Sequence, residues 1–332
     1  MGNPVDQALS DSYYKHRWKQ KIIYSPMGNW FELGYTEMTA DAATFTVLNR
    51  DFGKDNKNIF WKGYAQQVDY ASFRIDEHNI PKDAKHVYST LDYRNELKIV
   101  LEADPTTYKP YLLANETYGQ QWHRDHQSVF LYGKKVEADG KTFTRLNQSL
   151  AIDSLYLYAI VYDYNGTGSA ETNTSVIRKK ERPAHEAEVI NDYYVRFGNS
   201  IALSNWKNPF AYLQFEKIEN YRIIDERNIV VNDQLVSDGE LMSDIDVSSV
   251  VILDRDFIKD KNAVYYNKAK ITGAEPNTFT VISEVYSKDS QHVYYKTHTL
   301  NQADPTNFNV NYATGIASDG KLSFKDGVLI QE

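Results

Sequence analysis

The densest group of side chains able to do chemistry is Trp122-His123-Arg124-Asp125-His126. Two histidines three residues apart beside an aspartate are ligand types suited to zinc or another divalent metal. A complete site needs a third protein ligand, and no residue at a matching spacing supplies it. The chain has no cysteine, which removes thiolate ligands, disulfides and a thiol nucleophile together. His16, His78, His86, His185, His292 and His298 are scattered, and His86 and His292 each stand directly before a valine of a predicted strand. No G-x-S-x-G, Walker loop, H-E-x-x-H or G-x-G-x-x-G occurs. The recurring Asp-x-x-Asn lacks the alternating oxygen ligands and central glycine of an EF-type calcium loop. A carboxylate pair for glycoside hydrolysis is defined by separation in space, which spacing along the chain does not give. Catalytic, cofactor-binding and metal-ligating residues are therefore assigned to none.

Charge points to a different class of function. The net charge is −8, and residues 191–332 carry most of it while residues 1–160 are nearly neutral. Nucleic acid is excluded as an expected partner, since phosphate binding needs the opposite sign. Asp233, Asp238, Glu240, Asp244 and Asp246 form the candidate contact for a basic protein partner, because charge of one sign raises association with the other. The same residues also read as solvated hairpin turns.

The elements that must position these residues follow from repetition. Lys259-Asp260-Lys261-Asn262-Ala263-Val264-Tyr265-Tyr266 and Lys288-Asp289-Ser290-Gln291-His292-Val293-Tyr294-Tyr295 share one frame. Units open on an acidic residue with an aromatic four positions later: Asp41/Phe45, Asp69/Phe73, Asp104/Tyr108, Asp139/Phe143, Glu275/Phe279 and Asp304/Phe308, with Asp246/Val250 keeping the spacing. A second aspartate follows by 14 residues at Asp55, Asp83, Asp153, Asp260 and Asp289, by 15 at Asp319 and by 21 at Asp125. Five positions later comes Phe60, Tyr88, Phe130, Tyr158, Tyr265, Tyr294 or Phe324, and a weaker eighth copy runs from Asp225 to Val230. Asp-x-x is turn chemistry, because the carboxylate accepts from amides two residues on. The flanking β-branched and aromatic runs are strand composition. The expectation is an all-β fold of tandem β-hairpin units, about 28–35 residues each and of two or three strands, in two similar halves. One unit cannot bury its own apolar face, so neighbours must stack.

Asp260-Lys261-Asn262-x-x-Tyr265-Tyr266, with Ala-Asp-Pro-x-x-Phe between copies, resembles the DKNYY repeat family of bacterial proteins over most of residues 40–158 and 220–326. The resemblance implies bacterial origin, frequent export or lipid anchoring, and no established catalytic activity; it carries over no catalytic residues. The expected organisation is a repeat half at 1–164, a linker at 165–190 that includes the polar Asn165-Gly166-Thr167-Gly168-Ser169, and a second repeat half at 191–332. No transmembrane run is present, and the N-terminus lacks the apolar core of a signal peptide, as it would after a signal or lipid-anchored cysteine is removed. A periplasmic or envelope-associated location is favoured over the cytoplasm. The leading expectation is a non-catalytic envelope-associated binding or scaffold protein with a protein partner. The alternatives are an immunity protein neutralising a basic toxin, and an enzyme with a site between the two halves.

Overall fold

Short strands joined by turns are the dominant regular structure in the computed structural model, which describes residues 2–92, 94–114, 116, 121–164, 173–205 and 208–331; most are two to four residues long, and Tyr156–Tyr164 and Asn173–Glu181 are longer. Helix among the described residues is limited to a 3-10 turn at Pro26–Gly28 and one α-helical turn at Trp30–Leu33. The all-β expectation of tandem hairpin units holds, with one correction. Most units are four-stranded antiparallel meanders rather than two or three strands, while the first sheet has three strands and two sheets between Arg74 and Ile99 have two each. Val251–Ile252, Phe257–Lys259, Val264–Tyr266 and Ala269–Lys270 form one such sheet, with Phe257 opposite Tyr266 and Ile258 opposite Tyr265. Thr280–Val281, Tyr286–Lys288, Val293–Tyr295 and His298–Thr299 form the next.

The paired aromatics follow from strand geometry, in which successive side chains point to opposite faces. Tyr265 and Ile258 pack with Val230, Leu235 and Met242 of the preceding sheet. Phe257, Val264 and Tyr266 pack with Phe279 and Tyr294 of the following one. Phe60-Trp61 divides in the same way: Phe60 joins Tyr13, Tyr24 and Phe45, whereas Trp61 joins Phe52, Phe73 and Ile75. Each sheet therefore feeds two cores and is stabilised through its neighbours, which is nearest-neighbour solenoid logic. Full burial of one such ring contributes about 1.5–3 kcal/mol. Turns between third and fourth strands take positive φ at both central positions at Lys62-Gly63, Tyr132-Gly133 and Asn267-Lys268, the geometry of a tight hairpin, and at the first position only at Lys296-Thr297. At Gly63 a Cβ would stand 2.7 Å from that of Tyr24, so glycine is required there.

The chain divides into two compact units. One comprises Met1–Arg145, Ala151–Tyr158 and Lys179–Arg182; the other comprises Leu146–Leu150, Ala159–Arg178 and Pro183–Glu332. Of the expected linker at 165–190, residues 165–172 lie outside the described residues, and Asn173–Glu181 and Ala187–Val189 are strands. No helix among the described residues is long and apolar enough to cross a membrane.

Candidate functional site

The repeated aspartates are buried, and each one closes a polar clip between two turns. Asp260 Oδ1 accepts from the amides of Asn262 and Ala263 at 2.7 Å each, while Oδ2 accepts from the amide of the unit opener Asp246 at 2.7 Å. Asp289 does the same with Gln291, His292 and the opener Glu275, and adds the Tyr294 hydroxyl at 2.7 Å. The link from opener to clip spans 14 residues at Asp41/Asp55, Asp69/Asp83 and Asp139/Asp153, 15 at Asp304/Asp319, and 21 at Asp104/Asp125. The sequence offsets are thus hydrogen-bond offsets. Burial alone would raise the Asp83 carboxyl, but hydrogen bonds from Tyr88, Lys85, His86 and Asp69 outweigh it and hold the group at about 2. Burial would likewise raise Asp289, and its four donors lower it instead.

Two parts of the clip are missing from the sequence reading. A serine or threonine three residues after the opener accepts from the amide that follows the clip aspartate, as Thr44 does for Asn56, Ser249 for Lys261 and Thr278 for Ser290. Its signal was available at a fixed +3 position. The lysine before the aspartate is not part of its own turn but reaches the next one: Lys259 Nζ donates to Pro276 O and Lys288 Nζ to Pro305 O, both at 2.7 Å. Lys82 is the buried version, donating to Tyr108 O at 2.6 Å and pairing with Asp76 at 2.7 Å. The weaker copy at Asp225 keeps the local turn, accepting from Arg227 and Asn228, while among the described residues no opener amide reaches it.

Strand alternation separates the Trp122–His126 group. Trp122 is buried against Phe143, with ring centroids 5.4 Å apart. His123 stacks on Tyr108 at 4.9 Å and is held down at about 4, mainly by burial. Asp125 is a clip residue, and His126 faces Asp104 at 3.1 Å on the surface. These residues do not converge on one point, and the described residues contain no cluster of three or more histidine or carboxylate groups placed to hold a metal. His123 instead lines a cleft of about 600 Å³ together with Phe52, Trp61, Tyr88 and Tyr108.

The acidic candidates separate as well. Asp233 and Asp244 are exposed, and Asp246 is a unit opener paired with Lys261. Asp238 pairs with Arg227 at 2.7 Å and Glu240 with Lys268 at 3.0 Å. These last two line a cleft of about 520 Å³ with Asp254, Asp256, Glu284, Arg255 and Tyr193. Burial, then the neighbouring Asp254 charge, pushes the Asp256 carboxyl up. Asp238 and Glu240 are thus brought to one cleft, whereas Asp233, Asp244 and Asp246 do not line it. Glu284 comes from the next unit, 29 positions after Arg255, so the repeat period is the signal that would have found it.

Residues 122–327 match the family model described as the DKNYY family. No curated protein matches the chain.

Proposed function

The chain belongs to the DKNYY family, and from that premise we propose that it is a non-catalytic binding or scaffold protein of the bacterial envelope. One observation carries this reading. The residues that define the repeat, carboxylate and hydroxyl alike, are taken up by hydrogen bonds to the chain's own backbone. A signature used for building leaves recognition to the positions that vary between units. The cleft of Asp238, Glu240, Asp254, Asp256 and Glu284 is such a place. Its carboxylates outnumber its cations, which favours a basic protein partner through long-range attraction. That imbalance also favours a second reading, an immunity protein that neutralises a basic toxin.

The test is capture of partners from an envelope extract by the immobilised chain, repeated with Asp256→Lys/Glu284→Lys. The expected result is one basic partner whose retention weakens as salt rises and is lost in the variant. Retention that is equal for both proteins rejects the cleft as the binding site. Turnover of a small-molecule substrate by the pure chain rejects the non-catalytic reading. Inhibition of the captured protein's toxicity selects the immunity reading.

A further inference from the structure

We infer that the cleft lined by Trp61, Tyr88 and His123 is a second binding site, and that it takes a small saccharide. Its place follows from the meander. Clip aspartates such as Asp55 and Asp260 stand between second and third strands, so the first-to-second and third-to-fourth connections lie at the other end of the sheet. The acidic cleft draws Arg227, Asp238, Asp256, Lys268 and Glu284 or their turns from those connections. The His123 cleft uses the same end, through Asn49, Asp51, Lys62, Asn79 and Gly133. The correspondence is atomic. Asn49 Oδ1 accepts from the amides of Asp51 and Phe52 at 3.0 and 2.9 Å, as Asp254 Oδ1 does from Asp256 and Phe257. The amides of Lys62 and Asn267 donate to Asp51 O and Asp256 O at 2.8 Å each. One position of the repeat therefore opens twice, with different chemistry.

The repeat is irregular where the His123 cleft opens. Arg74–Ile75 with Pro81–Lys82, and Tyr88–Ser89 with Lys98–Ile99, make two-stranded sheets in place of one meander. Residues 90–97 join Ser89 to Lys98, where Lys62-Gly63 alone joins Trp61 to Tyr64. Insertions in a repeat array gather on one face, often the binding face. Thr90 and Leu91 of the longer connection line the cleft. Its volume of about 600 Å³ lies within the span of about 300–1,000 Å³ usual for small-molecule sites.

The lining selects the ligand. Arg50 and Lys62 stand with Asp51, so charges of both signs are present and neither a simple anion nor a simple cation is favoured. Asn49, Asn79, Ser89 and Thr90 add amides and hydroxyls, which together donate and accept. Phe52 and Trp61 stack at 6.2 Å and His123 stacks on Tyr108, giving rigid aromatic walls. His123 Nδ1 is shut away with no hydrogen-bond partner among the described residues, which leaves Nε2 to serve a ligand. A sugar ring carries hydroxyls that donate and accept and C–H edges that pack on aromatic rings, so it answers both parts of the lining. The cleft lies within one compact unit, and the inference does not rest on the partner reading of the acidic cleft.

The test is isothermal titration calorimetry of the full chain with cellobiose, maltose and N,N′-diacetylchitobiose, beside glycylglycine as a zwitterion and benzoate as an aromatic anion. Saturable binding of at least one disaccharide, little affected by salt, is expected. His123→Phe keeps the stacked ring and removes both nitrogens, and should weaken binding about tenfold. Thr90→Val, at an exposed position, should weaken it about fivefold and makes the same test if His123→Phe fails to fold. Asp256→Lys/Glu284→Lys, in the acidic cleft, should bind the sugar like the parent, so the two sites stand or fall separately. Tighter binding of the matching tetrasaccharide would identify the ligand as part of a glycan chain, and equal binding a free sugar. Absence of binding by all three disaccharides, binding of glycylglycine or benzoate in their place, or unchanged affinity in both His123→Phe and Thr90→Val overturns the inference.

Discussion

Two neighbouring stretches of the chain solve the same packing problem differently. From Asp246 to Lys325, strands of two or three residues are held by the aspartate clips, and aromatic rings fill the space between sheets. Between Ala187 and Met242, among the described residues, no opener amide reaches a turn carboxylate in this way. Here the strands run to four residues at Ser200–Leu203, Ala211–Gln214, Asn228–Val231 and Gln234–Ser237. The core is mainly aliphatic, with Ile201, Leu203, Ile229, Val231 and Val236 fully buried around Tyr194. The turns still use the Asx pattern, at Asn191 and Asp225, but Asn191 links forward by donating to the carbonyls of Asp225 and Glu226. The clip thus does the work of the missing strand length. A two-residue strand makes too few ladder bonds to align itself, and the buried carboxylate supplies the fixed point.

The largest effect expected from this contrast is on the ring that joins two clipped sheets. Phe257 is fully buried and lies 4.9 Å from Tyr266 and 5.9 Å from Phe279. Phe257→Ala should cost about 4 kcal/mol, within the range for emptying an aromatic site. Ile201→Val in the aliphatic stretch should cost about 1 kcal/mol, because one methyl is lost from a core of many similar groups. Denaturant midpoints measure both, and equal losses would erase the contrast.

Next is the clip itself. Asp289→Ala strands the amides of Glu275, Gln291 and His292 at a position 4% exposed and leaves the Tyr294 hydroxyl only Gly273 O. Several orphaned donors together should cost about 3 kcal/mol. Asp225→Ala removes a local turn acceptor only and should cost about 1 kcal/mol. Hydrogen exchange at the Glu275 amide should accelerate in Asp289→Ala, since that amide belongs to the other turn. If the two substitutions cost the same, the long-range half of the clip contributes nothing.

The clip shows where sequence reasoning reaches and where it stops. The offsets from Asp246 to Asp260 and from Asp260 to Tyr265 were legible because a repeat exposes every constraint several times over. The Asx turn at Asp260 was legible because it is local chemistry. That one carboxylate serves two turns was not, since the partner amide lies 14 residues away and amides leave no mark in a sequence. The reach of Lys259 is illegible for the same reason: its acceptor is a backbone carbonyl, Pro276 O, in another unit. Charge along the chain also misplaces a cleft. Asp244 and Asp246 are close to Glu240 in sequence, yet Arg227, Lys268 and Glu284 are its neighbours around the cleft.

Acid should separate regions of the molecule in turn. His123 is held neutral by burial at about 4, below the usual value for histidine. A lowered basic group stabilises the fold fully above pH 6.5 and loses that contribution as pH falls from 6.5 toward 4. Asp83, Asp153 and Asp289 are lowered carboxyls, with Asp83 at about 2. Their contribution is complete above pH 4 and is lost as pH falls through their lowered values. Thermal melting followed by pH should show a first decline between 6.5 and 4, flattened in His123→Phe, and a steeper decline below 4 that remains. A His123→Phe profile matching the parent would remove His123 from the first decline.

The smallest effect tests whether the aromatic after each clip acts as a ring or as a donor. Tyr265 donates its hydroxyl to Asp244 O at 2.6 Å, and Tyr294 donates to the clip carboxylate of Asp289 at 2.7 Å, with Gly273 O as a second acceptor within reach at 3.2 Å. The same position is Phe60, Phe130 and Phe324 in other units, where the clip closes without a hydroxyl. Tyr265→Phe should therefore cost about 1 kcal/mol, the size of one neutral hydrogen bond. Tyr294→Phe should cost about 2 kcal/mol, because its partner is a charged carboxylate. The difference between the two substitutions is the informative quantity, since the ring and its packing are kept in both. Indistinguishable denaturation midpoints would show that the hydroxyl adds nothing to the clip, leaving the aromatic as a filler of the space between sheets.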